Sequence, residues 1–285
     1  MRAYPRLLIV TPAKNERHNI RRMMEMLENQ SLVNFCWVLV IDGCEDDSLQ
    51  IASKFSPSFP FHFIEYNSSG LLIKGGAFQT WNHGAEYGLR MFPDVDFVMK
   101  LDADVELEKD YFLKLFTDTT ELPDVMGGVI SGSSREQNEY VPGPVKMYSR
   151  KALLLIQELP IATGLDVMDE IICRSRGLTI AVKREAKFRM TRNIGHSQGK
   201  LHGRFRNGLV CRWTGYSFVY FLLHVARYFF RDPYIFGSIW MLFGYFTAGE
   251  GPYDAKLKQL HTKIQRKRLL RLIRSPRKTL RDLYF

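Results

Sequence analysis

KLDADVEL, Lys100 to Leu107, is the stretch on which the reading of this chain turns. It ends a hydrophobic run, FVMKL (97–101), with Asp102 and Asp104 one residue apart. Carboxylates are costly to bury without a partner, so the run reads as a strand that stops where solvent or a ligand begins. Two acids this close repel unless a cation lies beside them, and hard oxygen ligands suit Mg2+ or Mn2+. Such an ion keeps several waters and takes further ligands from phosphates. An isolated D-x-D serves equally as a helix cap followed by solvated acids, so its neighbours decide its meaning.

Outward from this stretch, short β-branched and aromatic runs alternate with longer helical patterns. LLIVT (7–11), WVLVI (37–41), FHFIEY (61–66), DFVMKL (96–101), GGVISG (127–132) and LTIAV (178–182) read as strands. The alternation predicts an α/β domain with a mostly parallel sheet flanked by helices. After the first strand, Asn15 suits a helix N-cap. Glu16 would stand in the positive first turn, with Ile20, Met23, Met24 and Leu27 at helical spacing behind. Three polar turns then follow three strands: TPAKNE, DGCEDDS and LDAD. In an open parallel sheet, ligands bind at the carboxyl ends of the strands. Sequence order therefore brings Glu16, Asp42, Asp102 and Asp104 to one edge, where a metal-bound phosphate outweighs the cap reading.

PAKNE (12–16), VIDGCEDDS (40–48), KGGA (74–77) and LDADV (101–105) stand in the order and approximate spacing of the family 2 glycosyltransferases, which this chain resembles over residues 7 to about 182. The resemblance implies a Rossmann-like GT-A fold and transfer of a sugar from a UDP- or GDP-linked donor. It implies that Pro12, Ala13, Asn15 and Glu16 line the nucleoside pocket and that Asp42 contacts base or ribose. Lys74, Gly75 and Gly76 would approach the nucleotide or its phosphates. Asp102, Ala103 and Asp104 would flank the diphosphate, with Asp102 and Asp104 holding Mg2+ or Mn2+. The second motif departs from the family pattern, since a single acid, Asp42, precedes Gly43.

An inverting transfer needs a general base for the acceptor hydroxyl. TGLDVMDEIICRSRG (163–177) offers Asp166, Asp169 and Glu170, which a helix would place on one face. The segment resembles the family's acceptor motif. Counting back from Gly177 without a gap selects Asp166, and a short gap selects Asp169. Three solvated surface acids remain the bland alternative. RNIGHSQGKLHGRFRNG (192–208) follows, rich in glycine and cations that could meet a phosphate. In it His196 is a candidate metal ligand by resemblance.

The formal charge of +10 is local: residues 256–285 hold eleven Lys or Arg and one acid, and the remainder carries 29 of each sign. YSFVYFLLHVA (216–226) and PYIFGSIWMLFGYF (233–246) are dense apolar stretches, each shorter than the roughly 20 residues of a membrane span. Leu257, Leu260, Ile264, Leu269, Leu272 and Ile273 recur at helical spacing among the cations, the pattern of a helix on anionic lipid. The expected organisation is therefore a GT-A domain over 1–210 and a membrane-associating helical region over 211–285. It places the protein at the cytoplasmic face of a membrane, without a signal peptide. A lipid-linked or glycan acceptor, taking the sugar on a hydroxyl or a phosphate, fits that place, and lipid is favoured over nucleic acid as the partner of the tail. Two other classes compete. Another nucleotidyl or nucleotide-sugar transferase would call for a Gly/Lys-rich loop where PAKNE stands, and a non-catalytic membrane or nucleic-acid-binding protein leaves the acids unexplained.

Overall fold

A computed structural model describes residues 4–68, 75–117, 121–132, 140–191 and 199–274. The first strand, β1 (Leu7–Ala13), leads through α1 (Arg17–Glu28) to β2 (Phe35–Asp42). Then α2 (Ser48–Ser53), β3 (Phe61–Tyr66) and α3 (Gly76–Met91) precede β4 (Phe97–Leu101). These four strands pair in parallel in the order β3-β2-β1-β4. β1, β2 and β4 are apolar almost throughout because helices cover both faces. Leu7, Ile9, Trp37, Leu39 and Met99 join one core with the α1 stripe Ile20, Met23, Met24 and Leu27. Leu8, Val10, Val38, Val40 and Val98 turn to the other, with Trp81 and Ala85 of α3.

Beyond β4 the sheet becomes mixed. β5 (Val105–Leu107), α4 (Tyr111–Phe116), β6 (Val125–Ile130), β7 (Val145–Ser149), α5 (Arg150–Gln157), α6 (Leu165–Ser175) and β8 (Ile180–Met190) complete it in the order β4-β7-β6-β8-β5. β7 runs antiparallel to both β4 and β6. The expected mostly parallel sheet is thus parallel in its first half and mixed in its second. β5 and β7 escape sequence reading because three residues show no period, and VKMYS carries a lysine where burial predicts an apolar side chain.

α7 (Lys200–Trp213), α8 (Phe218–Tyr228), α9 (Tyr234–Thr247) and α10 (Ala255–Arg274) follow. The expected division at residue 210 falls inside α7. α7 and α9 touch backbone to backbone: a Cβ on Gly208 would lie 2.0 Å from the Met241 carbonyl oxygen, and one on Gly244 2.1 Å from that of Phe205. Only glycine permits that approach. Among the described residues no helix is long and apolar enough to cross a membrane.

α10 departs from the expected lipid-facing helix. Leu257 is buried in a cluster with Leu165, Met168 and Ile171 of α6, and Leu260 and Ile264 pack against it. His261, Gln265 and Arg268 extend the same buried stripe. The helical spacing marks a packing face against the protein's own body, and the exposed apolar side chains are Leu270 and Ile273 farther along.

Candidate functional site

The strand order reverses between β1 and β4, the point in such a sheet where a crevice opens. Pro12 and Ala13 end β1 there. Pro12 stands opposite Val40 of β2, beyond the β1–β4 pairing, which stops at Val10.

The loops after β1 and β2 are tied to each other. Asn15 takes a left-handed φ of 55°. It donates its N–H to Cys44 Sγ at 3.1 Å and accepts from the Glu45 N–H at 2.8 Å. Glu16, rather than the expected Asn15, occupies the N-cap position, and the caps come from elsewhere. Glu16 N–H donates to Ser48 Oγ at 3.1 Å and Arg17 N–H to the Asp46 carboxylate at 3.1 Å. These partners lie about 30 residues away, beyond any local capping rule, yet they satisfy the orphan donors that every helix start leaves. Glu16 accepts from Asn19 Nδ2 at 2.6 Å.

Asp42 is buried. It accepts from the Ser68 N–H and hydroxyl at 2.8 and 2.7 Å and from the Thr80 hydroxyl at 2.8 Å. Its carboxylate therefore ties the end of β3 to α3. Lys74 lies outside the described residues. Gly75 stands in the left-handed region at φ 74°, and a Cβ there would meet the Ala162 backbone at 3.0 Å. The close approach expected for a nucleotide at Gly75 is occupied by the chain itself, while Gly76 is buried as the first residue of α3.

Asp102 and Asp104, both half-buried, flank the buried Ala103 at the end of β4. Lys100, buried in β4, forms an ion pair with Asp102 and donates to the Gly143 carbonyl at 3.2 Å. Burial pushes the Asp102 carboxyl above its ordinary pKa, against the opposing pull of Lys100. The backbone N–H of Thr191 donates to the Asp104 carbonyl at 2.8 Å. His196 lies outside the described residues. Among the described residues no three acids, histidines or cysteines gather as a closed metal cage. Two carboxylates at a strand end still fit a hard divalent ion that completes its shell with phosphate oxygens and water.

α6 separates the three acids expected on one face. Asp169 and Glu170 are wholly buried: Lys146 of β7 reaches Asp169 Oδ2 and Glu170 Oε1 at 3.0 Å each. Tyr148 donates to Asp169 at 2.7 Å, the Val141 N–H to Glu170 at 2.9 Å. Burial by itself would lower the Lys146 pKa, but the two carboxylates raise it above the usual lysine value and hold it charged. The same burial raises Glu170, opposed by Lys146. As candidate bases Asp169 and Glu170 are corrected: they are structural anions, enclosed where no acceptor reaches. A lysine in the apolar strand VKMYS was the sequence signal for a buried anion partner.

Asp166, one helical step away, is exposed. Its backbone carbonyl accepts from Lys146 at 2.7 Å, which fixes the first turn of α6. Its Oδ2 lies 3.2 Å from where a Cβ on Gly143 would stand, so Gly143 links Asp166 to Lys100 and Asp102. The surrounding walls desolvate the Asp166 carboxyl and raise its pKa, opposed by Lys146. That is the direction a general base requires.

Asp166 and Gly143 also line a cavity of about 510 Å3 that runs between α7, α8 and α10. Its described lining includes none of Pro12, Ala13, Asn15, Glu16, Asp42, Gly75, Gly76, Asp102 or Asp104. The strand-end residues and the described lining of this cavity are separate sets, and Gly143 and Asp166 stand next to both.

The model of the family described as Glycosyl transferase family 2 matches residues 8–168, more than half of the chain. No curated protein matches. Among solved structures, the mannosyltransferase PcManGT from Pyrobaculum calidifontis, in complex with GDP-Man and Mn2+, is similar at 15% identity. The likeness covers 95% of this chain and 81% of that one, with a TM-score of 0.57. TarS of S. aureus is similar at 16% identity over 79% of this chain and 44% of its own length, with a TM-score of 0.50. These likenesses show the GT-A fold.

Proposed function

The chain belongs to glycosyl transferase family 2, and from that premise we propose that it moves a sugar from a UDP- or GDP-linked donor to a hydroxyl of a lipid-linked acceptor, with inversion. The observation that carries this reading is the position of Asp166, the one acid of its helix left open, between the D-x-D end of β4 and a separate cavity. The nucleoside diphosphate occupies the crevice formed by the stitched loops after β1 and β2. Asp102 and Asp104 are the residues that would hold Mg2+ or Mn2+, and His196 is a further candidate ligand. When bound, such an ion supplies Lewis-acid stabilisation of a departing diphosphate. Asp166 takes the acceptor's proton, while Lys146 holds the helix turn that carries it.

Membrane association is part of this proposal. On α9 the large apolar side chains left exposed are Tyr234, Ile235, Phe236, Ile239, Trp240, Phe243 and Phe246. On α8 and just after it they include Phe218, Val219, Leu222, Phe229 and Phe230. Each set recurs at helical spacing opposite a buried stripe, and Phe218 meets Phe246 at 6.2 Å, joining the two. An aromatic surface of this extent on a chain rich in exposed cations suits the interface of an anionic bilayer at its cytoplasmic face. Within the region from about 211 onward we assign the exposed faces of α8 and α9 to that surface, while α10 packs on α6 and the preceding part serves donor binding.

Titration with UDP and GDP, with and without Mn2+, tests the core of the proposal. Metal-dependent binding of one nucleotide is expected, followed by release of that nucleoside diphosphate in a donor screen. Binding of neither would remove the transferase reading.

A further inference from the structure

We propose that the cavity beside Asp166 holds a phosphate group of the acceptor as a handle, apart from the hydroxyl that reacts, and that the acceptor carries a lipid chain leaving over Phe229 and Phe230. The inference rests on the glycosyl-transfer reading and narrows its acceptor to a hydroxyl compound bearing a phosphate ester.

Charge is the first argument. Among the described lining residues, Lys200, Arg204, Arg206, Arg231 and Arg268 face two carboxylates, Asp166 and Asp232. An excess of three positive charges in a walled space calls for an anion. The cations are graded by depth. Lys200 and Arg231 are exposed at the rim, Arg204 and Arg206 are half-buried, and Arg268 keeps 7% of its surface. Arg204 lies over the Tyr228 ring at 3.9 Å and Arg268 over Tyr140 at 4.5 Å, so aromatic walls position both forks. A positioned guanidinium matches phosphate geometry. The donor's diphosphate is not the anion meant, because none of the described donor-crevice residues lines this space.

The chemistry of Asp166 sets the second limit. A phosphate monoester is already ionised at neutral pH and needs no base, and a carboxylate beside it would repel it. A carboxylate with a raised pKa instead suits a neutral hydroxyl. The step balances accordingly. The acceptor O–H bond breaks, with its proton passing to Asp166, and its oxygen bonds to the anomeric carbon. The bond from that carbon to the donor phosphate oxygen breaks, its electron pair leaving with the nucleoside diphosphate. The phosphate handle is unchanged. The cavity is continuous with an apolar surface: Tyr228 and Arg231 of its wall bracket Phe229 and Phe230 in the chain. Phe230, 86% exposed, belongs to the apolar surface where a hydrocarbon chain would lie.

The test uses the full chain in neutral detergent micelles, titrated with 1-oleoyl lysophosphatidic acid, which has hydroxyl, phosphate and chain together. 1-Oleoylglycerol lacks the phosphate, and glycerol 3-phosphate and inorganic phosphate lack the chain. Lysophosphatidic acid is expected to bind about tenfold or more tightly than 1-oleoylglycerol, the two water-soluble phosphates competing weakly, since a hydrogen bond to a charged group contributes enough for that ratio. Arg204→Gln and Arg268→Gln should each weaken it about tenfold, whereas Lys263→Gln with Lys267→Gln on the exposed side of α10 should change it less than about twofold. Arg204→Gln alone decides the matter if Arg268→Gln does not fold. Equal affinity for the two lipids, or equal weakening by the surface pair, would overturn the proposal. Free phosphate binding as tightly as the lipid would overturn the lipid-carried handle. Metal-dependent UDP or GDP binding is measured on the same preparations. If nucleotide binding persists while the lipid preference fails, this inference falls and the transferase reading stands. If nucleotide binding is absent while the arginines still hold the lipid, the transferase reading falls and the anion site stands.

Discussion

The end of β4 and the first turns of α6 both present acids to the site, and they treat them differently. Asp102 and Asp104 are half-buried at a strand terminus, with Lys100 engaging one of them, so a dication and phosphates can share the remaining oxygens. On α6, Lys146 and Tyr148 absorb Asp169, and Lys146 also holds Glu170, while Asp166 is left open. On the roles proposed above, the same residue type would serve as ligand, structural anion or base according to which cation meets it. Fully enclosed charges must be paired, whereas those at an edge stay available for chemistry.

That contrast breaks most sharply at α6. Asp166→Asn should lower sugar transfer by about 10^2 to 10^4-fold while thermal unfolding is unchanged, the range typical for a lost general base. Asp169→Asn should instead cost about 3 kcal/mol of stability by breaking one of the two buried ion pairs of Lys146 and leaving it to Glu170 alone, read by denaturant unfolding. If the two variants exchange these signatures, the roles assigned here are reversed. The pH profile sharpens the distinction. Because the Asp166 pKa is raised, the acid limb of transfer should begin above the range of an ordinary carboxylate and vanish from the residual rate of the asparagine variant.

A second contrast sets the buried stripe of α9 against its exposed one. Phe236 and Phe246 are 72% and 67% exposed. Replacing them with serine, together with Phe230, should weaken binding to anionic liposomes on the order of tenfold per ring while metal-dependent nucleotide binding persists. Unchanged liposome binding would leave the cationic segment beyond α9 as the attachment.

The smallest expected effect lies in α10. His261 donates its Nδ1–H to the Thr214 carbonyl, 2.7 Å away, and burial brings its pKa down to about 4 despite that bond. The folded form therefore holds it neutral, and the unfolded chain binds a proton more readily below its ordinary 6.5. Stability contributed by this site is complete above about pH 6.5 and is lost as pH falls towards 4. The loss should reach about 2 kcal/mol at pH 5, since one pKa unit is worth about 1.36 kcal/mol. His261→Gln should flatten unfolding curves across this window, and unaltered pH dependence would show that another group titrates.

Much of the frame was legible in the amino-acid order. The apolar runs of β1, β2, β3 and β4 and the stripe Ile20, Met23, Met24 and Leu27 announce themselves because strand and helix periods are local properties. So does the D-x-D at the end of β4, and with it the family. The acid cluster 166–170 was visible as a helical face, as was the repeat of Leu257, Leu260 and Ile264. A period identifies a face but is silent on what that face meets. Tertiary structure alone turned α10 onto α6, brought Asp46 and Ser48 to cap α1, and set Lys146 against Asp169 and Glu170. Each of these outcomes depends on groups distant in sequence meeting in a low-dielectric interior, where an unpaired charge or donor is too costly to persist. By that selection, made only once the chain is folded, Asp166 is the carboxylate of α6 left facing the cavity between α7, α8 and α10.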